Sequence, residues 1–347
     1  MPPTIVNVDS LNRAAVKYNP IIQTLPFIML EAVLSALDVN QLEVAAKDIL
    51  MQLQRKSGIA RPYTANATLA FATEVGKITE RPLEVKTSYA ALKEHIQSYK
   101  DSKLVLNTPE AQKVDNQLKH HPLEVLIIQN KIKTISEDIV DYLFFGERDE
   151  VTGNSPADMF DGFNPLITAE ITSGAIAAGK GNLVATGALV APVNETDTIA
   201  WDRLVAFIRA AHPMLRKNCV LYITDGALFA AIDALGNKIH FKGVMEFDVF
   251  QKYLEGTTKS KLKIISEPAL GTGSRLMLTA PRSLDFGMNT KGDTSFCQVR
   301  APYEDPNICQ FWTQWDAGCR VRSIHEKEFQ VNDQTNAALP LSGDYVS

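Results

Sequence analysis

The most regular apolar pattern lies in the middle of the chain. Beyond Pro122, apolar residues recur every three or four positions and form one stripe that ends before Gly146. Its members are Val125, Ile128, Ile132, Ile135, Ile139 and Leu143. This spacing predicts a helix of about 22 residues, or about 33 Å. A helix start at Thr108-Pro109-Glu110 precedes it, and Pro122 is expected to kink or restart the helix. A rod of this length needs an extended surface to lie on.

The first 39 residues are apolar but interrupted by proline, which prevents a long helix. Four of their large side chains, Leu25, Phe27, Ile28 and Leu30, are too closely spaced to share one helical face. A lone subunit would expose them as an apolar patch larger than soluble monomers tolerate. We therefore expect these four residues to be buried against another copy of the chain.

Two elements are predicted between this patch and the long helix. Asn40 and Glu43 fit a capping box, which predicts a helix over 42–53 that ends at Gly58. Next, strand-like runs at 69–71 and 83–85 flank Gly76-Lys77-Ile78-Thr79-Glu80-Arg81, which predicts a projecting charged hairpin. Lys77, Glu80 and Arg81 are expected at contacts between copies, although an ordinary surface hairpin fits the pattern equally well.

The second half of the chain alternates short apolar runs with helical patterns. Thr198 begins a helix through Trp201 and Ile208, and Asp225 caps a helix over 227–235. Strands are predicted at 169–172, 183–190, 220–224, 262–266, 276–279, 296–301, 308–315 and 320–324. The loop between the last two is expected at Asp316-Ala317-Gly318. These elements indicate a mixed α/β unit of about 90 residues followed by closing strands.

Composition narrows the function classes. The chain has 347 residues, 45% of them hydrophobic, and a net charge of −5. This charge argues against sequence-specific nucleic-acid binding and leaves a local basic face open. The N-terminus does not read as a secretory signal, and no apolar run reaches the roughly 18 residues that span a bilayer. We expect a protein without membrane contact that stays in the cytoplasm, or in something assembled there.

One near-motif for chemistry is present. Residues 174–181 match a phosphate-binding loop except at the last position, where Gly181 replaces the Ser or Thr that holds magnesium. Such a loop must also open a helix, and a strand is predicted after it. A cytosolic α/β nucleotide-binding enzyme that uses this loop stays as an alternative, and a flexible Ala/Gly loop is the default interpretation.

Other catalytic and cofactor patterns are missing from the sequence. The six histidines are scattered, and the four cysteines, Cys219, Cys297, Cys309 and Cys319, have no metal-ligand or redox spacing. We expect four reduced, buried thiols. The sequence thus predicts no catalytic residue, no metal site, no cofactor and no enzymatic activity.

The order of elements resembles the major capsid proteins of tailed bacteriophages, the family with the Hong Kong 97-like capsid fold. A long helix ends in Ile135-Ser136-Glu137-Asp138-Ile139-Val140 and Gly146, and a loop leads to Asp161-Gly162-Phe163-Asn164-Pro165-Leu166-Ile167. The helix, strand and helix from Trp201 to 235 are similar to the family's axial domain. The closing strands around Trp315-Asp316-Ala317-Gly318 are similar to the sheet that returns to its peripheral domain.

The resemblance implies an α+β fold with five parts. These are an N-terminal arm (1–60), an extended loop (61–107), a peripheral domain with a spine helix (108–197), an axial domain (198–284), and return strands with a C-terminal tail (285–347).

The resemblance also implies a function. Members form hexamers and pentamers of an icosahedral shell around double-stranded DNA, which they contact non-specifically. Scaffolding, portal and decoration proteins are the implied partners, and the implied location is the virion, assembled in the host cytoplasm. An encapsulin-like bacterial nanocompartment shell is the alternative within the same fold.

Overall fold

The computed structural model describes residues 30–44, 47–55, 76–95, 123–241, 245–289, 297–300 and 308–338. Leu25, Phe27, Ile28, the helix start at Thr108 and the strand predicted at 69–71 lie outside these residues.

The described residues form helices and two main sheets, which confirms the α+β class. The strands are β1 (Val39–Glu43), β2 (Lys47–Arg55), β3 (Gly76–Glu84), β4 (Lys86–His95), β5 (Leu183–Val184), β6 (Cys219–Tyr222), β7 (Leu262–Ile265), β8 (Thr272–Gly273), β9 (Met277–Thr279), β10 (Leu284–Met288), β11 (Cys297–Arg300), β12 (Ile308–Val321), β13 (Phe329–Asn332) and β14 (Asn336–Ala337). The helices are α1 (Leu123–Asp141), α2 (Phe163–Thr172), α3 (Ile199–Ala210), α4 (Pro213–Arg216), α5 (Asp225–Lys238) and α6 (Phe247–Thr258).

The first described segment is a short helical stretch that leads into a strand. Residues 30–36 are helical, and the side chains of Leu30, Leu34 and Leu37 are buried in the core. β1 then pairs in parallel with β10, with Val39 opposite Leu284. This pairing satisfies backbone groups that a helix would have bonded internally.

β2 and β3 form an antiparallel hairpin, from Lys47 opposite Glu84 to Arg55 opposite Gly76. The predicted helix over 42–53 is therefore wrong, because this stretch pairs as β1 and β2. The predicted hairpin of 69–71 with 83–85 is not what the described residues form: its expected loop, 76–81, is part of β3, and the strand paired with β3 is β2. β4 follows β3 after a single residue, Val85, so 76–95 runs as one extended ribbon.

β12 is the longest strand of the first sheet, whose order is β1-β10-β12-β11 with β4 also paired to β12. The loop predicted at Asp316-Ala317-Gly318 is wrong, because these residues are buried inside β12 between β10 and β4. The Asp316 carboxylate accepts a hydrogen bond from the Asn289 amide at 3.1 Å, which satisfies one polar group in the sheet. Gly318 leaves room for the Glu84 carbonyl of the ribbon.

α1 packs with this sheet in the first core. It has 19 residues and begins directly after Pro122, as expected for a helix that proline restarts. The described part of the predicted stripe, Ile132, Ile135 and Ile139 with Leu143 beyond the helix, is buried. Aromatic residues of neighbouring segments complete the core: Phe144, Phe160, Phe163, Phe286, Phe311, Trp315 and Phe329.

α2 replaces the strand predicted at 169–172. Phe163 and Ile167, four residues apart, are fully buried, which is helical periodicity. The hydroxyls of Thr168 and Thr172 each donate to the carbonyl oxygen four residues earlier. These bonds direct both threonine side chains along the helix instead of across a sheet.

In the second sheet, of order β5-β13-β9-β6-β7, every residue of the three central strands is buried. In β6, Val220 and Tyr222 enter the first core, whereas Leu221 enters a second core. Ile223, directly after the strand, also enters the second core. This is the alternation that a strand imposes. The second core is otherwise built mainly from α3, α5 and α6.

Most other predictions for this region hold. The strands predicted at 220–224, 262–266 and 276–279 are β6, β7 and β9, and 296–301 contains β11. The run at 183–190 shortens to β5, which has two residues. α3 follows Thr198 as predicted, but α5 is capped by Thr224, whose hydroxyl accepts from the Ala227 N–H, and not by Asp225.

Candidate assembly surfaces

The β2–β3 hairpin has one apolar face. Ile49 of β2 lies opposite Pro82 of β3, so two apolar side chains share this face. Ile49 is 45% exposed, and Pro82 is half-buried. A two-stranded ribbon cannot bury both of its faces by itself. This apolar face is the first candidate surface for contact with another protein.

The opposite face of the hairpin is anchored to the subunit at its root. Leu83, opposite Asp48, is fully buried, and Arg81 is 7% exposed. Arg81 Nε donates to the carbonyl oxygen of Val321 at 2.9 Å, and its Nη2 forms an ion pair with Glu170 of α2. The root of the hairpin is thereby tied to the end of β12 and to α2.

A second arginine shares the same carboxylate. Arg320 Nη2 lies 3.5 Å from Glu170 Oε1, so two largely buried guanidinium groups face one glutamate. Burial, together with the positive charge of Arg81, lowers the pKa of Arg320. Glu170 is therefore the main neutralising charge at the hairpin root.

The structure corrects two of the expected assembly contacts. Leu30 is completely buried in the first core of its own subunit, because the helical stretch 30–36 packs there. Arg81 is buried in the ion pair described above. Glu80 of β3 is exposed, and its backbone lies opposite that of Met51 in β2. The backbone of Lys77, also in β3, lies opposite that of Gln54 in β2. The contacts expected for Leu25, Phe27 and Ile28 stay predictions, because these residues lie outside the described part of the chain.

A second apolar surface, which the sequence analysis missed, lies on α5 and the segments beside it. Phe229, Phe241 and Val193 are 63%, 50% and 87% exposed around a groove of about 570 Å³. The signal is readable in the sequence, because Leu228, Ala231 and Leu235 form the buried stripe of α5 and leave Phe229 off it.

The 174–181 loop does not have the geometry of a phosphate cradle. Lys180 Nζ donates to the carbonyl oxygens of Gly174 and Ala175 at 2.7 and 3.3 Å, so it closes its own loop. Gly181 has a φ of +75°, and the chain continues into β5, not into a helix. The amide groups of a helix N-terminus, which hold phosphates in such loops, are therefore missing at this position.

We expect neither the chain nor its Lys180→Ala variant to bind nucleotide. Isothermal titration calorimetry with ATP or GTP and magnesium should give only heats of dilution for both proteins. The substitution should instead loosen the loop, because two carbonyl groups lose their donor. Micromolar binding by the natural chain that disappears in Lys180→Ala would contradict this interpretation of the loop and restore the enzyme alternative.

In the described part of the chain, no three His, Cys, Asp or Glu side chains come together in a way that could hold a metal ion. Cys219 and Cys319 are free and buried, as predicted, and burial raises the pKa of the Cys219 thiol to about 12. The side chains of Cys297 and Cys309 lie outside the described residues. Among the described helices, none is long and apolar enough to cross a bilayer.

Comparison with protein-family models gives no match, and comparison with curated protein sequences gives none either. Solved structures do match. A chain of the satellite phage P4 procapsid, in a structure that includes the size determination (Sid) protein, has a TM-score of 0.55, 13% identity and coverage of 89% of both chains.

Two further matches are weaker. The capsid of a native GTA particle has a TM-score of 0.49 at 14% identity, covering 88% of this chain and 90% of that one. A virus-like particle from Pyrococcus furiosus has a TM-score of 0.41 at 8% identity, covering 90% and 98%. The similarity to the P4 chain covers 89% of this chain. The chain therefore has the fold of phage capsid proteins, as the order of its elements predicts.

Proposed function

We propose that this chain is the major capsid protein of a tailed phage, and that it assembles into hexamers and pentamers of an icosahedral shell around double-stranded DNA. The observation that carries the proposal is the likeness to a P4 procapsid chain over 89% of both chains. Contact with DNA would be non-specific, and scaffolding, portal and decoration proteins would be further partners. Assembly would take place in the host cytoplasm.

We further propose the Hong Kong 97-like division of the chain, with one revised boundary. The extended loop would be the β2–β3 hairpin, 47–84, in place of 61–107. α1 would be the spine helix of the peripheral domain. The first sheet, which contains β12, would complete this domain. The axial domain would be the unit around the second core, close to 198–284.

The physical basis for self-assembly is the apolar face of the hairpin. Within its own subunit, the hairpin root is fixed by Leu83 and Arg81, and Ile49 stays 45% exposed on the other face. A second copy of the chain that covers this face would remove it from water. Leu25, Phe27 and Ile28 would add further apolar contacts between copies.

Ile49→Asp should raise the concentration needed for assembly about tenfold or more while the subunit stays folded. Full burial of such a side chain contributes about 1.5–3 kcal/mol, and 1.4 kcal/mol corresponds to a factor of ten in an equilibrium constant. A buried, unpaired carboxylate would add to the loss. Light scattering against protein concentration measures assembly, and circular dichroism measures folding.

Ile199→Asp is the matched control. Ile199 is also exposed, at 53%, and it lies in the first turn of α3, where an acidic residue suits the helix dipole. This variant should assemble like the natural chain. Equal assembly of both variants and the natural chain would exclude the apolar face as a contact between copies.

A further inference from the structure

One corner of the second unit concentrates positive charge in a chain whose net charge is −5. Two segments meet there, 209–219 and 256–263, and neither contains an Asp or Glu. We call this surface the basic corner and define it by five residues: Arg209, Arg216, Lys217, Lys259 and Lys261. Lys263 is excluded, because it pairs with Asp38 at 3.3 Å.

The basic corner is held together by the backbone. Arg209 Nη2 donates to the Thr257 carbonyl at 2.8 Å, which places a cation at the negative end of α6. The Lys261 N–H donates to the Arg216 carbonyl at 3.1 Å, which fixes the two segments side by side. Lys217, Lys259 and Lys261 are exposed. Among the described residues, no carboxylate forms an ion pair with any of the five.

One acidic residue, Glu255, directly precedes the second segment of the basic corner. Glu255 of α6 accepts a hydrogen bond from the Leu262 N–H at 3.0 Å. Its carboxylate thus serves the backbone at the start of β7. Its single negative charge is smaller than the charge of the five cations, so the basic corner keeps a net positive charge.

The opposite charge is concentrated in the other unit. Residues 137–161 contain eight carboxylates and one cation, Arg148. We call this surface the acidic corner and define it by the C-terminal turns of α1 and the loop that follows. Burial and the neighbouring acids raise the pKa of both Asp138 and Asp141. The last turn of α1 has no basic residue, so these acids also lie at the negative end of the helix dipole.

The two corners adjoin different cores of the subunit. The basic corner adjoins Cys219 at the start of β6, whereas the Tyr222 hydroxyl at the other end of β6 donates to the Leu37 carbonyl of the first unit at 2.9 Å. The acidic corner adjoins Leu143 and Phe144 of the first core. No ion pair between described residues joins the two corners.

We propose that the basic corner of one copy binds the acidic corner of the next copy. The inference rests on the proposed self-assembly and names one contact that supports it. Because two different surfaces meet, the contact is heterologous, and repeated contacts of this kind form a ring when the rotation between successive copies closes. Complementary charges also steer the encounter and exclude wrong registers. A nucleic-acid backbone is also a polyanion and would also be attracted to the basic corner. We favour the acidic corner as its partner, because the carboxylates there repel one another and a bound cationic surface would relieve this repulsion.

A charge-swap experiment tests this contact. Lys217→Glu with Lys261→Glu should slow assembly at low ionic strength about tenfold or more, because two acidic surfaces then face each other. Glu137→Lys with Asp141→Lys should slow it similarly by joining two basic surfaces. The chain with all four substitutions should recover to within about threefold of the natural rate, because the attraction is restored with reversed sign.

Lys93→Glu with Lys327→Glu is the control, since it changes the net charge equally outside both corners and should assemble at the natural rate. Melting temperatures of unassembled subunits confirm that every variant folds. Normal assembly of both single-surface variants, or no recovery in the fourfold variant, would overturn the contact. Loss of binding to double-stranded DNA by the Lys217/Lys261 variant with normal assembly would also overturn it and assign the corner to nucleic acid. If the natural chain forms no oligomer, the proposed function itself fails.

Discussion

Glu170→Ala should lower the free energy of unfolding of the subunit by about 3–5 kcal/mol, the range found when one partner of a buried ion pair is removed. Glu170 is the carboxylate that Arg81 and Arg320 share at the hairpin root, and its side chain is 12% exposed. Its loss leaves two largely buried guanidinium groups facing each other. Urea denaturation below the assembly concentration, followed by circular dichroism, measures the change.

Glu137→Ala is the control for this prediction. The Glu137 side chain is 61% exposed and lies 3.8 Å from Lys133 on α1, an exposed pair that contributes at most about 0.5 kcal/mol. If the free energy of unfolding of Glu170→Ala lay within about 1 kcal/mol of that of the natural chain, the loss would be on the scale of a surface pair. Such a result would show that hydration stabilises the two arginines without Glu170. The hairpin root would then not depend on this carboxylate.

Leu34→Ala should lower the free energy of unfolding by about 2–5 kcal/mol, as expected for a fully buried leucine. Leu34 is 1% exposed and Leu30 is 0% exposed, both in the first core. For the same reason, deletion of residues 1–35 removes core side chains and should prevent stable folding, since total stability is only about 5–15 kcal/mol. Thermal melting followed by circular dichroism checks both variants.

The Phe27→Asp variant tests whether Phe27 belongs to an arm that contacts another copy or to the core of its own subunit. It should leave the melting temperature of the unassembled subunit unchanged and weaken assembly, because we expect Phe27 to contact another copy. A Phe27→Asp subunit that fails to fold would place Phe27 in the core with Leu30. Normal particles from this variant would exclude it from both roles.

The sequence predicts elements well where burial repeats with one period. α1 shows this, because Ile132, Ile135 and Ile139 follow helical spacing and pack on one side. The 42–53 stretch does not show a single period. Its apolar residues fit helical spacing, and at Ile49, Met51 and Leu53 they also alternate as in a strand. The partners that make it two strands, β3 and β10, are far along the chain, and no local pattern carries that information.

Polar sequence patterns predict the wrong structure where distant segments satisfy the polar groups. Asp316-Ala317-Gly318 has turn composition, yet it continues β12 because Asn289 bonds the aspartate and Glu84 approaches the glycine. Arg81 has the charge of a surface contact, yet Glu170 holds it inside the subunit. The apolar face of the hairpin became visible only with its register, because Ile49 and Pro82 are 33 residues apart.

Electron microscopy of the purified natural chain, together with sedimentation at micromolar concentration, tests the central claim most directly. We expect closed particles of fixed diameter, or rings of five or six subunits that join into such particles when a scaffolding protein is added. A compact monomer that persists under all these conditions would contradict a shell-forming role for this fold.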